Sequence, residues 1–369
     1  MGNLMNGIPY IELQERIAKI ARIDSQNDRP KIRGIIQNVY LMEIPRKYDW
    51  NFLYATTSLY VAAAYDEGAA SITTGGNLLT FTTSATISAD MTGRKIKIEA
   101  NDYTYDFTYT GVTSGTISPN FYGTTNADSN TYKIFVGEVT LPLDFDRFPK
   151  NGGLVYYTGG RKKQIPEEPV QEYFENYNPS PSQPTKCRLT GTDTMGRQKV
   201  ELRPPIELET YLGCEYFKQL APLSMTSNGL IDVITSGTVT VTGIDSRFTD
   251  AKAGDYFRVD AMGVAENSQW YRIASVTHNS ALTLSTAFAT TSISSANYCI
   301  SSMPDLPPKM QDAIMWGALR TLSGDQGDPM FQFYNAQLAE VLSDGKRLFM
   351  TRIPAQQIHS VAEEFHYRR

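Results

Sequence analysis

An internal repeat constrains the fold of this 369-residue chain more than any other feature of its sequence. Residues 93–99 and 254–260 both read as a glycine, a polar pair and an alternating strand that ends on a carboxylate. Further pairs hold one offset of 166 residues: Tyr105 and Tyr271, Tyr122 and Phe288, Thr124-Thr125 and Thr290-Thr291, Tyr132 and Tyr298, and Ile134 and Ile300. Because chance alternation rarely keeps an ungapped register, we interpret the two stretches as copies of one unit.

The repeat predicts two small β-domains. Each copy spans about 70 residues, enough for five or six strands in a sandwich or barrel. The glycine strands are 161 rather than 166 residues apart, so the second copy carries about five extra residues around 262–267, within ordinary loop variation. We place module 1 at 66–137 and module 2 at 226–302, each inserted at an exposed turn of a host domain.

The ends of the chain have the apolar spacing of helices. The first predicted helix covers 10–23, and its apolar face is Leu13, Ile17, Ile20 and Ala21. The second follows Asp28 and Pro30, a favourable N-cap and first-turn proline, and its apolar face is Ile32, Ile35, Ile36, Val39 and Tyr40. Because Pro45 lacks the amide that the helix requires, we expect it to kink or end this helix near Ile44.

Two further helices are predicted near the other end. One opens at 305–308 and presents Met310, Ala313, Ile314, Gly317 and Thr321. The next opens at Asp328-Pro329 and presents Phe331, Tyr334, Leu338, Val341 and Leu342. Their connection over 323–327 is short, so the two helices should pack antiparallel.

The segment between the modules reads as strands. A hairpin is predicted for 154–157 and 162–165 around two glycines, with further strands at 185–189, 198–202 and 211–218. With the modules removed, the order is helix, helix, short sheet, helix, helix. We therefore predict an α+β fold with two inserted all-β modules on a discontinuous helical-bundle core with a short antiparallel sheet. That core would comprise 1–65, 138–225 and 303–350, followed by a C-terminal docking tail at 351–369.

Composition and motifs narrow the function. A net charge of −5 without a long basic block argues against nucleic-acid affinity over the whole surface. The three distant cysteines (Cys187, Cys214 and Cys299) suit buried side chains in a reducing compartment rather than a disulfide framework. Without a signal-peptide pattern or a bilayer-length apolar run, we expect synthesis in the cytoplasm and no membrane partner.

The sequence contains no pattern of known catalytic chemistry. Nucleophile-elbow, Walker-loop and zincin motifs are missing, and the three histidines (His278, His359 and His366) do not have metal-ligand spacing. Residues 159–163 are basic but lack the ending of a phosphate loop, so an exposed hairpin explains them better. We expect no enzyme, no catalytic residue, no metal and no cofactor.

Outside the modules, the chain resembles the bacteriophage head-to-tail adaptor (connector) family in the order of its motifs. These are Tyr48-Asp-Trp50, Thr140–Asp146, Leu154–Tyr157, Glu172-Tyr-Phe174, Val200–Pro205, Leu306-Pro-Pro308, Asp312-Ala-Ile314, Gly317-Ala-Leu319 and Gly327-Asp-Pro329. The resemblance covers roughly 8–65, 138–225 and 303–350. The sequence departs from the family at Pro45, where a helix former is usual, and in carrying the two modules.

The resemblance implies a virion structural protein that forms a closed ring, commonly of twelve subunits, between the portal protein and the tail tube or nozzle proteins. Genomic DNA would pass through without sequence-specific binding, and tail fibres would be further partners through the β-modules. Aromatic anchors of the ring contacts would be Trp50, Tyr54, Trp316 and Phe331, although each also suits its own subunit's core.

The last segment, 351–369, has an apolar stripe of Ile358, Val361 and Phe365 that is too short to form a stable helix alone. Within the resemblance, its partner is the portal protein, with Arg368 and Arg369 making charge-assisted contacts. A tail that folds back on its own subunit, or one without fixed structure, is left open.

A host-attachment or carbohydrate-binding protein with lectin-like modules is the alternative function. Trp270, Tyr271 and Tyr256 would then stack on sugar rings, although inward positions on module strands also account for them. A depolymerising enzyme is a third option that no motif supports.

Overall fold

The computed structural model describes residues 7–23, 28–82, 84–98, 103–123, 126–150, 153–158, 161–168, 181–259, 269–289 and 292–350. The chain forms two compact units, Met1–Leu53 with Leu220–Arg369, and Tyr54–Gln219. The α-helices are α1 (Tyr10–Ile20), α2 (Arg29–Asn38), α3 (Ile44–Lys47), α4 (Pro308–Gln326) and α5 (Phe331–Phe349). A π-helical turn covers Val39–Glu43, and single 3-10 turns cover Asn51–Leu53, Ala89–Met91 and Phe248–Asp250.

The strands of the unit Tyr54–Gln219 are β1 (Tyr54–Val61), β2 (Ala70–Ile72), β3 (Leu78–Phe81), β4 (Lys95–Ile98), β5 (Thr104–Gly111), β6 (Ser114–Ser118), β7 (Asn126–Asn130), β8 (Tyr132–Phe135), β9 (Glu138–Thr140), β10 (Phe145–Arg147), β11 (Leu154–Thr158), β12 (Arg161–Ile165), β13 (Lys186–Thr192), β14 (Gln198–Arg203) and β15 (Thr210–Lys218). Those of the other unit are β16 (Met225–Thr226), β17 (Leu230–Ile234), β18 (Thr240–Ile244), β19 (Tyr256–Val259), β20 (Tyr271–His278), β21 (Ala281–Leu284), β22 (Ile293–Ala296) and β23 (Tyr298–Ser301).

The prediction of an α+β fold built on a helical-bundle core with a short sheet is wrong, because the described chain is mostly β. Its 23 strands form four sheets of three to eight strands, whereas it has five α-helices. The segment between the modules alternates polar and apolar residues, so its two sheets bury side chains between themselves. These sheets belong to one unit with module 1, and the helices belong to the other unit with module 2.

Helices α4 and α5 pack antiparallel, the arrangement that their short connection predicts. Gly324 near the end of α4 lies against Phe331 at the start of α5, and Met310 near the start of α4 lies against Gly345 of α5. Along this contact, the buried apolar residues are Met310, Ala313, Ile314, Ala318, Leu319, Leu322, Tyr334, Leu338 and Leu342. The pattern at positions i, i+3 and i+4 thus gives the correct inward face for both helices.

Two helix predictions at the N-terminal end need correction. Of the two outcomes expected at Pro45, a kink or an end, the second does not occur. A π-helical turn precedes the proline, in which the amide of Ile44 bonds to the carbonyl of Val39, and helical backbone continues to Lys47. The wider turn accommodates the proline, which has no amide to donate. At α1, the helix stops at Ile20, which is 41% exposed rather than part of the core. The left-handed φ of +53° at Arg22 terminates this helix.

The two modules share one pattern of strand pairing. In module 1, β2 pairs with β3 and β7, β6 pairs with β3 and β5, and β4 pairs with β5 and β8. In module 2, β17 pairs with β18 and β22, β21 pairs with β18 and β20, and β19 pairs with β20 and β23. Each strand of one module therefore has a counterpart in the other, and β16 adds to β23 as an extra strand.

Side-chain hydrogen bonds repeat as well. The hydroxyl of Tyr132 donates to the carbonyl of Glu67 at 2.6 Å, and that of Tyr298 donates to the carbonyl of Asn228. These two tyrosines keep the predicted offset of 166 residues.

The predicted pairing of Tyr122 with Phe288 is wrong by one residue. The amide of Gly75 donates to the carbonyl of Phe121, and the amide of Gly237 donates to that of Phe288, both at 2.8 Å. Phe121 and Phe288 are both buried, whereas Tyr122 is 68% exposed. The register thus slips by one residue after β5, and the Thr124-Thr125 and Thr290-Thr291 pairs lie outside the described residues.

The segment between the modules, together with β1, forms two sheets. One has the order β1-β15-β11-β12, with β10 also on β15, and the other has the order β13-β14-β9. Their shared apolar cluster consists of Val61, Val139, Leu141, Phe145, Leu154, Tyr156, Ile165, Cys187, Val200, Leu202, Ile206, Leu212, Cys214 and Tyr216. This cluster fixes the five-stranded sheet, leaving its second face for other contacts.

Candidate interaction surface

The five-stranded sheet presents an exposed face that is rich in tyrosine. Along β1, every second residue from Tyr54 to Tyr60 is exposed. The residues directly opposite them on β15 are Phe217, Glu215, Gly213 and Tyr211. Since paired residues of an antiparallel sheet point to one side, all of these lie on the same side of the sheet, where Phe217 is buried. We call Tyr54, Thr56, Ser58, Tyr60, Tyr157, Tyr211 and Glu215 the tyrosine face.

Three tyrosines cross this face in a row. Tyr60 pairs with Tyr211, and their ring centroids are 5.4 Å apart. The pairing of Val155 with Gly213, continued by two residues, places Tyr157 next to Tyr211, and Lys162 pairs with Tyr157. The three tyrosines are 54%, 61% and 55% exposed in the order Tyr60, Tyr211 and Tyr157. Beside the row, Gly213 lacks a side chain and leaves a shallow hollow of about 450 Å³.

One carboxylate organises the middle of the face. Glu215 of β15 accepts hydrogen bonds from the ammonium of Lys162 and from the hydroxyl of Tyr54. Burial, followed by the hydrogen bond to Glu215, raises the pKa of Tyr54 to about 12. The phenol therefore stays neutral at ordinary pH, and the charge of Glu215 is compensated by Lys162. Such a neutral, hydrogen-bonding and aromatic surface has the composition of protein–protein contacts.

The two edges of the sheet differ in charge. Edge strand β1 reads Tyr-Ala-Thr-Thr-Ser-Leu-Tyr-Val, eight residues without a charge or a proline, and among the described strands it pairs with β15 alone. Edge strand β12 reads Arg-Lys-Lys-Gln-Ile and pairs with β11 alone in the part of the chain that the structure describes. Natural sheets protect their edges with charge or proline, so β1 is an unprotected edge.

Acidic residues gather at one end of β1. Val61 ends the strand opposite Thr210, and the residues around these two ends include Asp66, Glu67, Glu207 and Glu209, all exposed. Lys133 contacts Glu207 at 3.0 Å and Asp66 at 4.0 Å, so it compensates only part of this charge. We call these four carboxylates the acidic end.

The structure separates the predicted aromatic anchors. Trp50 is fully buried, and its indole N–H donates to the carbonyl of Ile44 at 2.7 Å. Its ring stacks on Phe52 and meets Tyr48 edge-on. Trp50 is therefore a core residue of its own unit rather than a surface anchor.

The other predicted residues fall in three places. Tyr54 is 40% exposed and belongs to the tyrosine face. Trp316 is partly exposed and stacks on Tyr334 of α5, and Phe331 lies partly exposed against Gly324. The predicted docking residues of the tail are outside the described residues: Ile358, Val361, Phe365, Arg368 and Arg369.

Sequence reasoning missed Tyr60, Tyr157 and Tyr211 as surface residues. Each falls in a segment with strand-like alternation, but alternation alone does not tell which face of a sheet is covered. The signal that the sequence offers is the polar side chain at alternate positions of β1, Thr56 and Ser58, on the same side of the strand as Tyr60. Predicting that the three tyrosines lie together requires knowing which strands pair, and these strands are distant in sequence.

The predicted sugar platform on module 2 is not at the surface. Trp270 and Tyr271 are 4% and 2% exposed, and the guanidinium of Arg258 covers the Trp270 ring at 4.7 Å. Tyr256 is half-buried. Within the described ranges, His, Cys, Asp and Glu form no group that could hold a metal ion, and no helix has the length and hydropathy of a membrane span.

No protein-family model matches the chain, and neither does any curated protein. Among solved structures, the apo form of translation elongation factor SelB from Methanococcus maripaludis is 9% identical, over 67% of this chain and 62% of that chain, with a TM-score of 0.14. The chain thus spans less than two thirds of that protein, and a likeness at this score carries no argument about fold. The comparisons show no family to which the chain belongs.

Proposed function

We propose that this chain is a virion structural protein, a head-to-tail adaptor subunit of a bacteriophage that assembles into a ring between the portal protein and the tail tube or nozzle. The tyrosine face is the observation that carries the proposal. The ordered motifs outside the modules, which resemble the adaptor family, also support it.

Tyrosines on a rigid sheet suit a contact between subunits for two physical reasons. A tyrosine offers a large, flat and partly polar surface whose ordering costs little conformational entropy. The sheet beneath is fixed by its own buried cluster, so the face is preorganised for binding. Four of the chain's exposed tyrosines lie on this one face, namely Tyr54, Tyr60, Tyr157 and Tyr211.

The proposal assigns separate tasks to the remaining parts. The residues of 351–369 dock on the portal protein, and the β-modules face fibres or the tail. DNA passes through the ring without sequence-specific contacts, as suits a chain with a net charge of −5.

The decisive experiment locates the chain in the virion. Antibodies raised against module 1, coupled to gold, should label particles at the portal–tail junction in electron micrographs. Label at the distal tip of the tail, or particles that lack the chain, would refute the adaptor role. Light scattering of the purified chain adds a second measure, since an adaptor should form large oligomers as its concentration rises.

One observation favours glycan binding as a second candidate function. Tyr103 and Tyr122 of module 1 are 62% and 68% exposed, and their ring centroids are 6.2 Å apart. Exposed aromatic faces are platforms for sugar rings. A glycan array probed with the chain and with Tyr122→Ala tests this, and equal signals from both proteins would remove the candidate.

A further inference from the structure

We infer that copies of this chain join head to tail by strand addition, with β12 of one copy pairing antiparallel with β1 of the next. The inference rests on the proposed ring and adds an edge-to-edge contact between neighbouring copies to the contact proposed for the tyrosine face.

The first argument is the state of the two edges. The outer edge of β1 meets no other strand of the described chain, although β1 has eight residues and no charge to discourage pairing. From Arg161 to Lys163, the outer edge of β12 likewise meets no strand among the residues that the structure describes. Each edge therefore offers backbone donors and acceptors that strand addition satisfies.

The second argument is strand direction. All pairings from β1 through β15 and β11 to β12 are antiparallel, so β1 and β12 run in opposite directions on opposite edges of one sheet. A second copy that is brought alongside by rotation, without being inverted, then places its β12 antiparallel to β1. Repeating one rotation gives a heterologous contact, and a rotation by a whole fraction of a turn closes it into the proposed ring.

The third argument is charge complementarity. Thr158 and Arg161, where the β11–β12 hairpin turns, lie at the same end of the sheet as Val61 and Thr210. The turn end of the β11–β12 hairpin, with its basic strand β12, and the acidic end thus lie at the same end of the sheet, on opposite edges. Rotation brings the exposed Lys163 of one copy to the level of the acidic end of the next, where opposite charges steer association, while Lys162 stays bonded to Glu215 of its own copy.

The fourth argument is the continuity of the tyrosine row. The row runs Tyr60, Tyr211, Tyr157 and then Lys162, from one edge of the sheet to the other. If neighbouring copies are not shifted along the strand direction, Lys162 of one copy lies opposite Tyr60 of the next. The hydroxyl of Tyr60 is bonded to Glu209 of its own copy. The row then extends around the ring without a break, and the buried faces of β1 and β12 remain aligned.

Cysteine cross-linking tests the contact directly. All three native cysteines are buried, so introduced surface thiols can be oxidised selectively. Tyr60→Cys on β1 and Lys162→Cys on β12 occupy one level, as do Leu59→Cys and Lys163→Cys. Directly opposed strand residues have the Cα separation that a disulfide needs. Mild oxidation at high protein concentration traps even short-lived pairs.

A double variant should give a ladder of disulfide-linked multimers on a denaturing gel, whereas each single variant should run as the uncross-linked chain. Mixing the two single variants of one level should give dimers only. Self-linked dimers of a β1 single variant would overturn the inference, because they indicate a two-fold contact between β1 strands. Failure of both double variants to form a ladder would also overturn it.

A charge exchange supplies the control for specificity. In the Tyr60→Cys/Lys162→Cys background, Lys163→Glu and Glu209→Lys should each abolish the ladder. An equimolar mixture of the two should recover it, because the two variants then alternate and every contact again joins opposite charges. Loss without recovery contradicts the role of charge. If virions are labelled at the neck but the β1–β12 cross-link does not form, this contact is refuted and the adaptor role is not. If the cross-linked ladder forms but virions do not contain the chain, the contact is supported and the adaptor role is refuted.

Discussion

Replacing Tyr211 with alanine should weaken assembly and leave the subunit folded. Tyr211 stands in the middle of the tyrosine row, between Tyr60 and Tyr157. Its outer part faces solvent in the isolated chain, so the substitution removes few contacts within the subunit. We therefore expect thermal unfolding close to that of the unaltered chain.

The size of the assembly effect follows from the exposed area. Tyr211 is 61% exposed, so that of the roughly 200 Å² that a tyrosine buries, about 120 Å² remains for a partner. At about 25 cal/mol per Å², this area sets an upper limit of about 3 kcal/mol for each contact, or about a hundredfold in Kd, because ordering and desolvation costs reduce the contribution of buried area to binding. Loss of half that effect would still exceed the error of a sedimentation measurement.

Sedimentation velocity over a range of concentrations is the appropriate assay. Tyr122→Ala serves as the matched control, because Tyr122 is exposed to a similar extent, at 68%, but belongs to module 1. Only Tyr211→Ala should shift oligomers to higher concentration. If both variants assemble like the unaltered chain, or if Tyr122→Ala has the larger effect, the tyrosine face is not the contact.

Three further predictions concern stability. At Gly34 of α2 a Cβ would meet nothing within 4 Å, so Gly34→Ala should stabilise by about 1 kcal/mol. At Gly317 of α4 a Cβ would lie 2.6 Å from Val39 Cγ1, so Gly317→Ala should lower the free energy of unfolding by about 1–2 kcal/mol. Urea unfolding in which both substitutions stabilise, or both destabilise, would contradict this packing. Burial raises the pKa of Cys187 and Cys214 to about 12, so the unfolded thiols lose protons first and stability should fall above about pH 9. A melting temperature that stays constant from pH 8 to pH 11 would contradict it.

Local patterns in this sequence predict local structure well. The hairpin expected at 154–157 and 162–165 is present as β11 and β12, and the helices expected after Pro308 and Pro329 are present as α4 and α5. In each case the apolar spacing and the turn residues are close in sequence and refer to the same element. The physical information needed is contained in fewer than twenty residues.

Long-range association was predicted poorly. The helices of both ends do contact each other, as at Val39 and Gly317, but their apolar stripes do not show that most of the chain lies in separate sheets. Cys187 and Val200 pack in a cluster between sheets, where a core shared with helices was expected. The tyrosine face depends on pairings such as Tyr60 with Tyr211, about 150 residues apart in the chain, which no local pattern encodes.

The shared pairing pattern of the two modules provides an internal reference for exchange experiments. Amides at corresponding ladder positions, such as Phe107 and Ile273, occupy the same hydrogen-bonded environment in the isolated folds. Their rates of hydrogen–deuterium exchange can be compared within one sample, without reference to a separately prepared protein. In intact particles, slowing at one member of such a pair alone would identify the module that a neighbouring molecule shields.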